Sequence, residues 1–296
     1  GFVTVDNSYY FQRTTNNTFF QGTTFKLEPL FHIQGDKENK RLCEITNLRG
    51  KKKLIDFDSD LLASFRDFRK FLFRIGGFMF LTHNGVNTEH FDKFVYRYEE
   101  QFEPALELLT MGWNPKGFYA YANGVFWQGK FRAVNKYGIM HLEGIDTTDN
   151  GYNQKIDYFY SPAFSVMHQD NQQGDDLYEN DRYFVYKEAS ITLEDWMKQM
   201  KLVFDKKGII GILFNFGAIF RDLFISNYTS FPLLGGFGEK DSGKSAFGRV
   251  LQNFFYYRLP ALDLTQATHV GFSRRLSRNT NTVQFADEYQ DKNVKE

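Results

Sequence analysis

The chain has 296 residues and a mass of 34.8 kDa, which at roughly 150 residues per domain makes about two domains. Lys and Arg number 36, Asp and Glu 36, and the formal charge of zero excludes a global basic field for nucleic acid, leaving only local patches. Cys43 is the single cysteine, which excludes an internal disulfide framework and fits a reducing cytoplasm, while an aromatic content of 18% argues against disorder.

The opening GFVTVDNSYY has neither the basic start nor the apolar run of a signal peptide. It lacks an initiator Met, so the chain is expected to be a piece of a longer protein. Residues 1–57 read as short strands at Phe2, 9–11, 25–33, 41–46 and 53–57, separated by Asn, Gly and charged turns. A helix follows with Ser59 as N-cap; Leu61, Leu62, Phe65, Phe68, Leu72 and Ile75 recur at helical spacing until Gly76 and Gly77 stop it. A second helix is predicted from Thr88 to Phe102. Strand character returns over 108–144, so 1–167 read as one α+β domain.

The polar, acidic run 168–181 reads as an interdomain connection, and 168–190 are taken as linker. Residues 183–186 read as a last strand. Thr192 and Asp195 have capping-box spacing before a helix carrying Trp196, Met197, Met200 and Val203, and a second helix covers about 207–226. The most apolar stretch, 208–220, is too short to span a bilayer and reads as a buried helix, so no membrane is expected.

Next, an apolar strand over 231–234 runs into Gly238-Glu239-Lys240-Asp241-Ser242-Gly243-Lys244-Ser245, and an apolar helix begins at Ala246. This is G-x-x-x-x-G-K-[ST] between a strand and a helix, the context the phosphate-binding loop requires. Glycines let successive N–H groups turn inward as an anion nest, and the helix N-terminus adds partial positive charge. In this reading residues 238–246 bind ATP, Lys244 reaches the β- and γ-phosphates, and Ser245 ligates Mg²⁺. A short apolar strand over 282–286 then ends in Asp287-Glu288, as a Walker-B strand does. Asp287 would hold the same Mg²⁺ and Glu288 would polarise the attacking water, which makes Lys244 and Glu288 the candidate catalytic residues. Between the motifs lie a second parallel strand over 260–264 and a basic amphipathic helix with Arg274, Arg275 and Arg278, read either as phosphate or DNA contacts or as a solvated face.

The run 232–288 resembles the ATPase module of primase–helicases from phages, plasmids and integrated mobile elements, compact P-loop ATPases of the superfamily 3 or AAA+ kind. The resemblance rests on GFGEKDSGKSAFGRVLQNFF, on TQATHVGFSRRLSRNTNTVQFADEY and on the short spacing between them. Upstream, LLTMGW followed by Gly117-Phe118-Tyr119-Ala120 resembles the domain preceding such ATPases. It implies a parallel-sheet α/β P-loop domain of which 191–296 are the N-terminal part, with 191–228 as lead-in helices. It further implies a cytoplasmic DNA replication helicase or primase–helicase in a bacterial or phage-infected cell, built as a hexameric ring, with an N-terminal adaptor domain. Members continue past this point with a sensor-1 residue, a DNA-contacting hairpin and an arginine finger. The chain is therefore expected to bind nucleotide but to hydrolyse it slowly. The rival readings are a regulatory P-loop NTPase and a non-catalytic nucleotide- or nucleic-acid-binding assembly module.

Weaker signals remain. Lys37, Lys40, Arg41, Arg49, Lys51, Lys52 and Lys53 form a basic stretch, diluted by Asp36, Glu38 and Glu44 and read as a solvated hairpin ahead of a nucleic-acid contact. Arg66, Arg69, Lys70 and Arg74 on the first helix read as its solvent face. None of the six histidines has metal-ligand spacing to Cys43 or a carboxylate, so no zinc site is claimed, and Gly271-Phe272-Ser273-Arg274-Arg275 lacks the final glycine of a nucleophile elbow.

Overall fold

A computed structural model describes residues 1–13, 15, 17–36, 38–148, 155–166, 178–265 and 268–287. The fold is mixed α/β, with several sheets, six helices among the described residues and a β-rich N-terminal region as expected. The chain divides into two compact units, Gly1–Glu107 with His141–Tyr160, and Leu108–Met140 with Ser161–Glu296.

The strands run, in chain order, β1 Phe2–Val5, β2 Ser8–Gln12, β3 Phe19–Gln21, β4 Phe25–Gln34, β5 Asn39–Asn47, β6 Lys52–Asp58 and β7 Glu103–Glu107. They continue as β8 Met111–Asn114, β9 Phe118–Tyr121, β10 Gly124–Trp127, β11 Lys130–Ala133, β12 Ile139–His141, β13 Tyr158–Tyr160, β14 Leu262–Asp263, β15 Asn279–Thr280 and β16 Ala286–Asp287. The helices are α1 Phe65–Gly76, α2 Thr88–Glu99, α3 Leu193–Ile219, α4 Arg221–Tyr228, α5 Lys244–Asn253 and α6 His269–Ser277.

The first unit carries a three-stranded sheet, β1-β2-β3, and a larger one in which its strands run in the order β13-β7-β4-β5-β6. Alternating strand residues and the apolar stripes of α1 and α2 bury an aromatic core of Phe2, Tyr9, Phe11, Phe25, Phe68, Phe80, Phe91 and Phe94. Its rings meet largely edge to face, as Phe25 does with Phe80 at 5.2 Å, the geometry the ring quadrupoles favour. The cap of α1 differs from the expected Ser59. Residues Ser59–Ala63 form a 3₁₀ turn, and Ser64 caps the helix by accepting from the Asp67 N–H while its hydroxyl donates to the Asp67 carboxylate at 2.8 Å. That reciprocal pair satisfies two groups locally and outcompetes the earlier serine.

A buried cation sits beside this core. Arg41, 8% exposed, donates to His32 Nδ1 and to the Glu99 carboxylate, and its guanidinium lies 4.8 Å from the Phe102 ring centre. Burial, and after it the charge of Arg41, lower the His32 pKa from 6.5 to about 4. The folded state therefore prefers neutral imidazole. Its contribution is complete above the unfolded pKa and is lost as pH falls through about 4. Thermal melts at about pH 7 and about pH 4.5 should show a smaller acid-induced drop for His32→Gln than for the wild type. Equal drops would contradict this.

In the second unit β11-β10-β9-β8-β15 form one sheet and β14-β16 another. The strand β15, from far along the chain, adds in parallel to β8, with Thr280 paired to Gly112. Gly112 has φ of 91°, and a Cβ there would stand 1.9 Å from the Thr280 carbonyl oxygen, so the Gly-Trp pair at 112–113 makes room for this strand. Residues 183–186, expected as a strand, are not one: Asn180–Tyr183 form a 3₁₀ turn, and the following segment is held to β9–β10 by Ala122 N–H to Phe184 O and by reciprocal bonds between Asn123 and Tyr186.

Thr192 caps α3 through the Asp195 N–H, as the spacing predicts. The expected break between two helices falls inside α3 at Asp205, whose φ is 50° and ψ −128°. Stretch 208–220 is buried on one side only. Gly208, Gly211, Asn215 and Ala218 are covered, whereas Ile210 and Leu213 are exposed. The small residues let the helix approach its neighbours closely, and the branched ones lie on the other side. No single helix among the described residues is long and apolar enough to cross a membrane; α3 and α4 reach that composition only together, and they are bent by 79°.

Candidate functional site

The glycine-rich loop leads directly into α5, which begins at Lys244. Ser64, Asn87, Thr192 and Thr268 each cap a helix with a side-chain oxygen, but the residue before α5 is Gly243, which has none. Its φ of 83° is a conformation glycine adopts without strain, and it turns the chain sharply into the helix. The first-turn N–H groups of Lys244, Ser245 and Ala246 thus have no side-chain cap, and an uncapped helix start carries partial positive charge.

The ammonium of Lys244 lies within the loop. It donates to the Gly238 carbonyl at 2.9 Å, to the Glu239 carbonyl and to the Ser242 hydroxyl at 3.3 Å. Ser242 N–H also donates to the Glu239 carbonyl at 3.4 Å, closing the turn through Lys240 and Asp241. Residues 238–243 are exposed and Lys244 and Ser245 half-buried, so the loop is open to solvent.

Ser245 donates to Asp287 Oδ1 at 3.3 Å, across 42 residues of sequence. Two residues that the sequence reading did not single out position this contact. Gly248 lies under the Phe285 ring, where a Cβ would stand 2.3 Å from ring carbon. Gln252, fully buried, accepts from the Phe285 N–H at 2.8 Å and donates to the Leu259 carbonyl at 2.6 Å. Ser245, Gly248 and Gln252 are spaced three and four apart, one face of the helix, and that spacing is the signal that could have found them. β16 pairs in parallel with β14, Asp263 against Asp287, as the predicted second strand requires.

Other expectations resolve differently. No strand covers 231–234; the segment is irregular, Phe231 packs on Phe214 and Phe224, and Leu233 is 97% exposed. Without a partner strand to take its N–H and C=O groups, an apolar run does not make a ladder. Arg278 is a structural residue rather than a free phosphate contact. It pairs with the buried Asp181 at 2.7 Å and donates to the Leu109 carbonyl at 3.0 Å. Arg275 donates to Gln284 Oε1 at 3.1 Å and to the Pro260 carbonyl at 2.5 Å, whereas Arg274 is exposed. Glu288 lies outside the described residues.

The donor set beside Lys244 is one hydroxyl and one carboxylate. Among the described residues no group of three or more His, Cys, Asp or Glu could hold a metal. A hydroxyl and a single carboxylate nevertheless suit Mg²⁺, which keeps several waters and completes its shell with substrate phosphates. No protein-family model matches the chain, and comparison with curated proteins finds no match.

Proposed function

We propose that this chain binds a magnesium-bound nucleoside triphosphate through residues 238–246, as the nucleotide-binding part of a P-loop ATPase. One observation carries the reading. At the foot of a glycine-rich loop that already encloses the Lys244 ammonium, the Ser245 hydroxyl meets the Asp287 carboxylate. The uncapped N–H groups of the first α5 turn would donate to phosphate oxygens, and Lys244 would exchange its bonds to Gly238 and Glu239 for bonds to the β- and γ-phosphates. Ser245 and Asp287 would hold Mg²⁺, which when bound neutralises charge on the phosphate oxygens. Glu288, next along the chain, would orient the attacking water. On the family resemblance, turnover in a ring of such chains would drive separation of DNA strands.

The test is a calorimetric titration with ATP and ADP, with and without Mg²⁺. Saturable one-site binding that strengthens with Mg²⁺ is expected, and Asp287→Asn should keep binding while losing most of the Mg²⁺ dependence. Absence of binding at millimolar nucleotide, or an unchanged Mg²⁺ effect in Asp287→Asn, would overturn the reading.

A further inference from the structure

In the second unit, the turn that follows α5 gathers two cations on one aromatic ring. The Lys187 ammonium lies 4.5 Å from the centre of the Tyr257 ring, and the Arg258 guanidinium lies 5.4 Å from it. Both cations are exposed, and Tyr257 is 45% exposed. Each cation is attracted by the ring, but the two repel one another. Among the described residues neither is paired with a carboxylate, and Glu188, next to Lys187 in the chain, pairs with neither. The shared ring therefore marks a small surface with two positive charges and no counter-charge.

The turn is anchored on both sides. Tyr257 N–H donates to the Tyr183 carbonyl at 2.7 Å, and the Leu259 carbonyl accepts from the buried Gln252 side chain at 2.6 Å. Tyr256 and Leu259 are themselves buried. Between these anchors the chain passes through Arg258 with φ of 59°. That left-handed conformation strains a residue with a Cβ, and glycine or asparagine is its usual occupant. Here the occupant is an arginine whose one side-chain contact is the Tyr257 ring. Strain retained at a side chain that makes no hydrogen bond or ion pair within the fold points to a ligand.

We infer that Lys187, Arg258 and the Tyr257 ring form a binding site for a phosphate monoester. Such a group carries about 1.5 to 2 negative charges at neutral pH and three acceptor oxygens. The guanidinium would take two oxygens as a fork and the ammonium the third, so both cations are neutralised. A carboxylate or a phosphodiester brings a single charge and leaves one cation unmatched. The site therefore favours a terminal phosphate over a nucleic-acid backbone. It is separate from nucleotide binding at 238–246 and stands or falls without it.

The test is acetylation of the lysines of the full chain, read residue by residue by mass spectrometry at constant ionic strength. Inorganic phosphate or glycerol phosphate at about 10 mM should slow acetylation of Lys187 several-fold and leave exposed Lys201 on α3 unchanged. Because the readout is local, phosphate held by residues 238–246 does not contribute to it. A phosphoserine peptide serves as the second arm: tighter protection by it would identify a modified chain as the carrier, and tighter protection by glycerol phosphate a small molecule. Arg258→Gly should weaken protection at least about tenfold while melting at or above the wild-type temperature, since glycine adopts this φ without strain. Arg258→Asn, which also tolerates the conformation, should do the same if glycine loosens the turn. Protection by dimethyl phosphate or acetate as strong as by the monoesters would overturn the inference, as would equal protection of Lys201 or none at Lys187. A lower melting temperature in Arg258→Gly with Lys187 still protected would show a purely structural arginine and would overturn it too.

Discussion

Replacing Lys244 with alanine is expected to weaken nucleotide binding by about 10- to 150-fold, the equivalent of losing one charged hydrogen-bonding group worth about 1.5–3 kcal/mol. The geometry sets both the size and the limit of the effect. The ammonium is held inside the loop by the Gly238 and Glu239 carbonyls and the Ser242 hydroxyl, so it is already located where an anion cradled by the loop would meet it. Truncation removes that charge but leaves the first-turn N–H groups of α5 and the Ser245–Asp287 pair. Residual binding should therefore persist, and the loss should be larger for ATP than for AMP, because Lys244 is proposed to meet only the outer phosphates. Thermal melts should change little, since Lys244 is partly exposed and its bonds are to loop groups that water can satisfy. Calorimetry giving the same Kd for both proteins, or an equal loss for AMP, would refute the role.

The largest stability effect is expected at Asp181. Its carboxylate, 2% exposed, accepts from Arg278 Nε at 3.0 Å and Nη2 at 2.7 Å. The same guanidinium donates to the Leu109 carbonyl at 3.0 Å and lies over Tyr178 at 5.5 Å. One arginine thus ties together the residues before β8, the 3₁₀ turn at Asn180–Tyr183 and the end of α6. Asp181→Asn leaves a partly buried guanidinium without its counter-charge, and breaking a buried pair costs about 3–5 kcal/mol. For a unit of this size the melting temperature should fall on the order of 10 °C. The double variant Asp181→Leu with Arg278→Met should be less destabilised than Asp181→Asn, because it leaves no orphaned charge. A melting temperature for Asp181→Asn within about 1 °C of wild type would show that the pair contributes nothing net.

Much of this protein was legible in one dimension, for reasons that are themselves local. The stripe Phe65, Phe68, Leu72 and the stop at Gly77 define α1, because helical periodicity is a property of neighbours three and four apart. Thr192 with Asp195 announces α3, because a cap is made within four residues. The glycine-rich run before Lys244 makes a turn into a helix, because Gly243 supplies a backbone conformation and lacks a side chain to cap α5. At the start of α1 the same local logic named the wrong serine. Ser59 and Ser64 are both plausible caps by spacing, and only Ser64 has a carboxylate three residues on that returns the bond.

The sequence by itself determined where helices, turns and the phosphate-loop pattern lie, since each is decided by side chains a few residues apart. The tertiary structure decided what those elements meet. Apolar 231–234 has strand composition, yet a strand exists only where another backbone takes up its hydrogen bonds, and composition carries no record of that partner. Arg278 looks like Arg274 in a basic helix, but one is sequestered by a carboxylate 97 residues away and the other is exposed. The approach of Ser245 to Asp287 depends on the missing side chain of Gly248 and on a buried glutamine gripping Phe285 N–H. In every such case the deciding contact joins residues whose separation along the chain is much longer than a helical turn or a hairpin. It is set by complementary shape and charge across the packed unit, not by any local period.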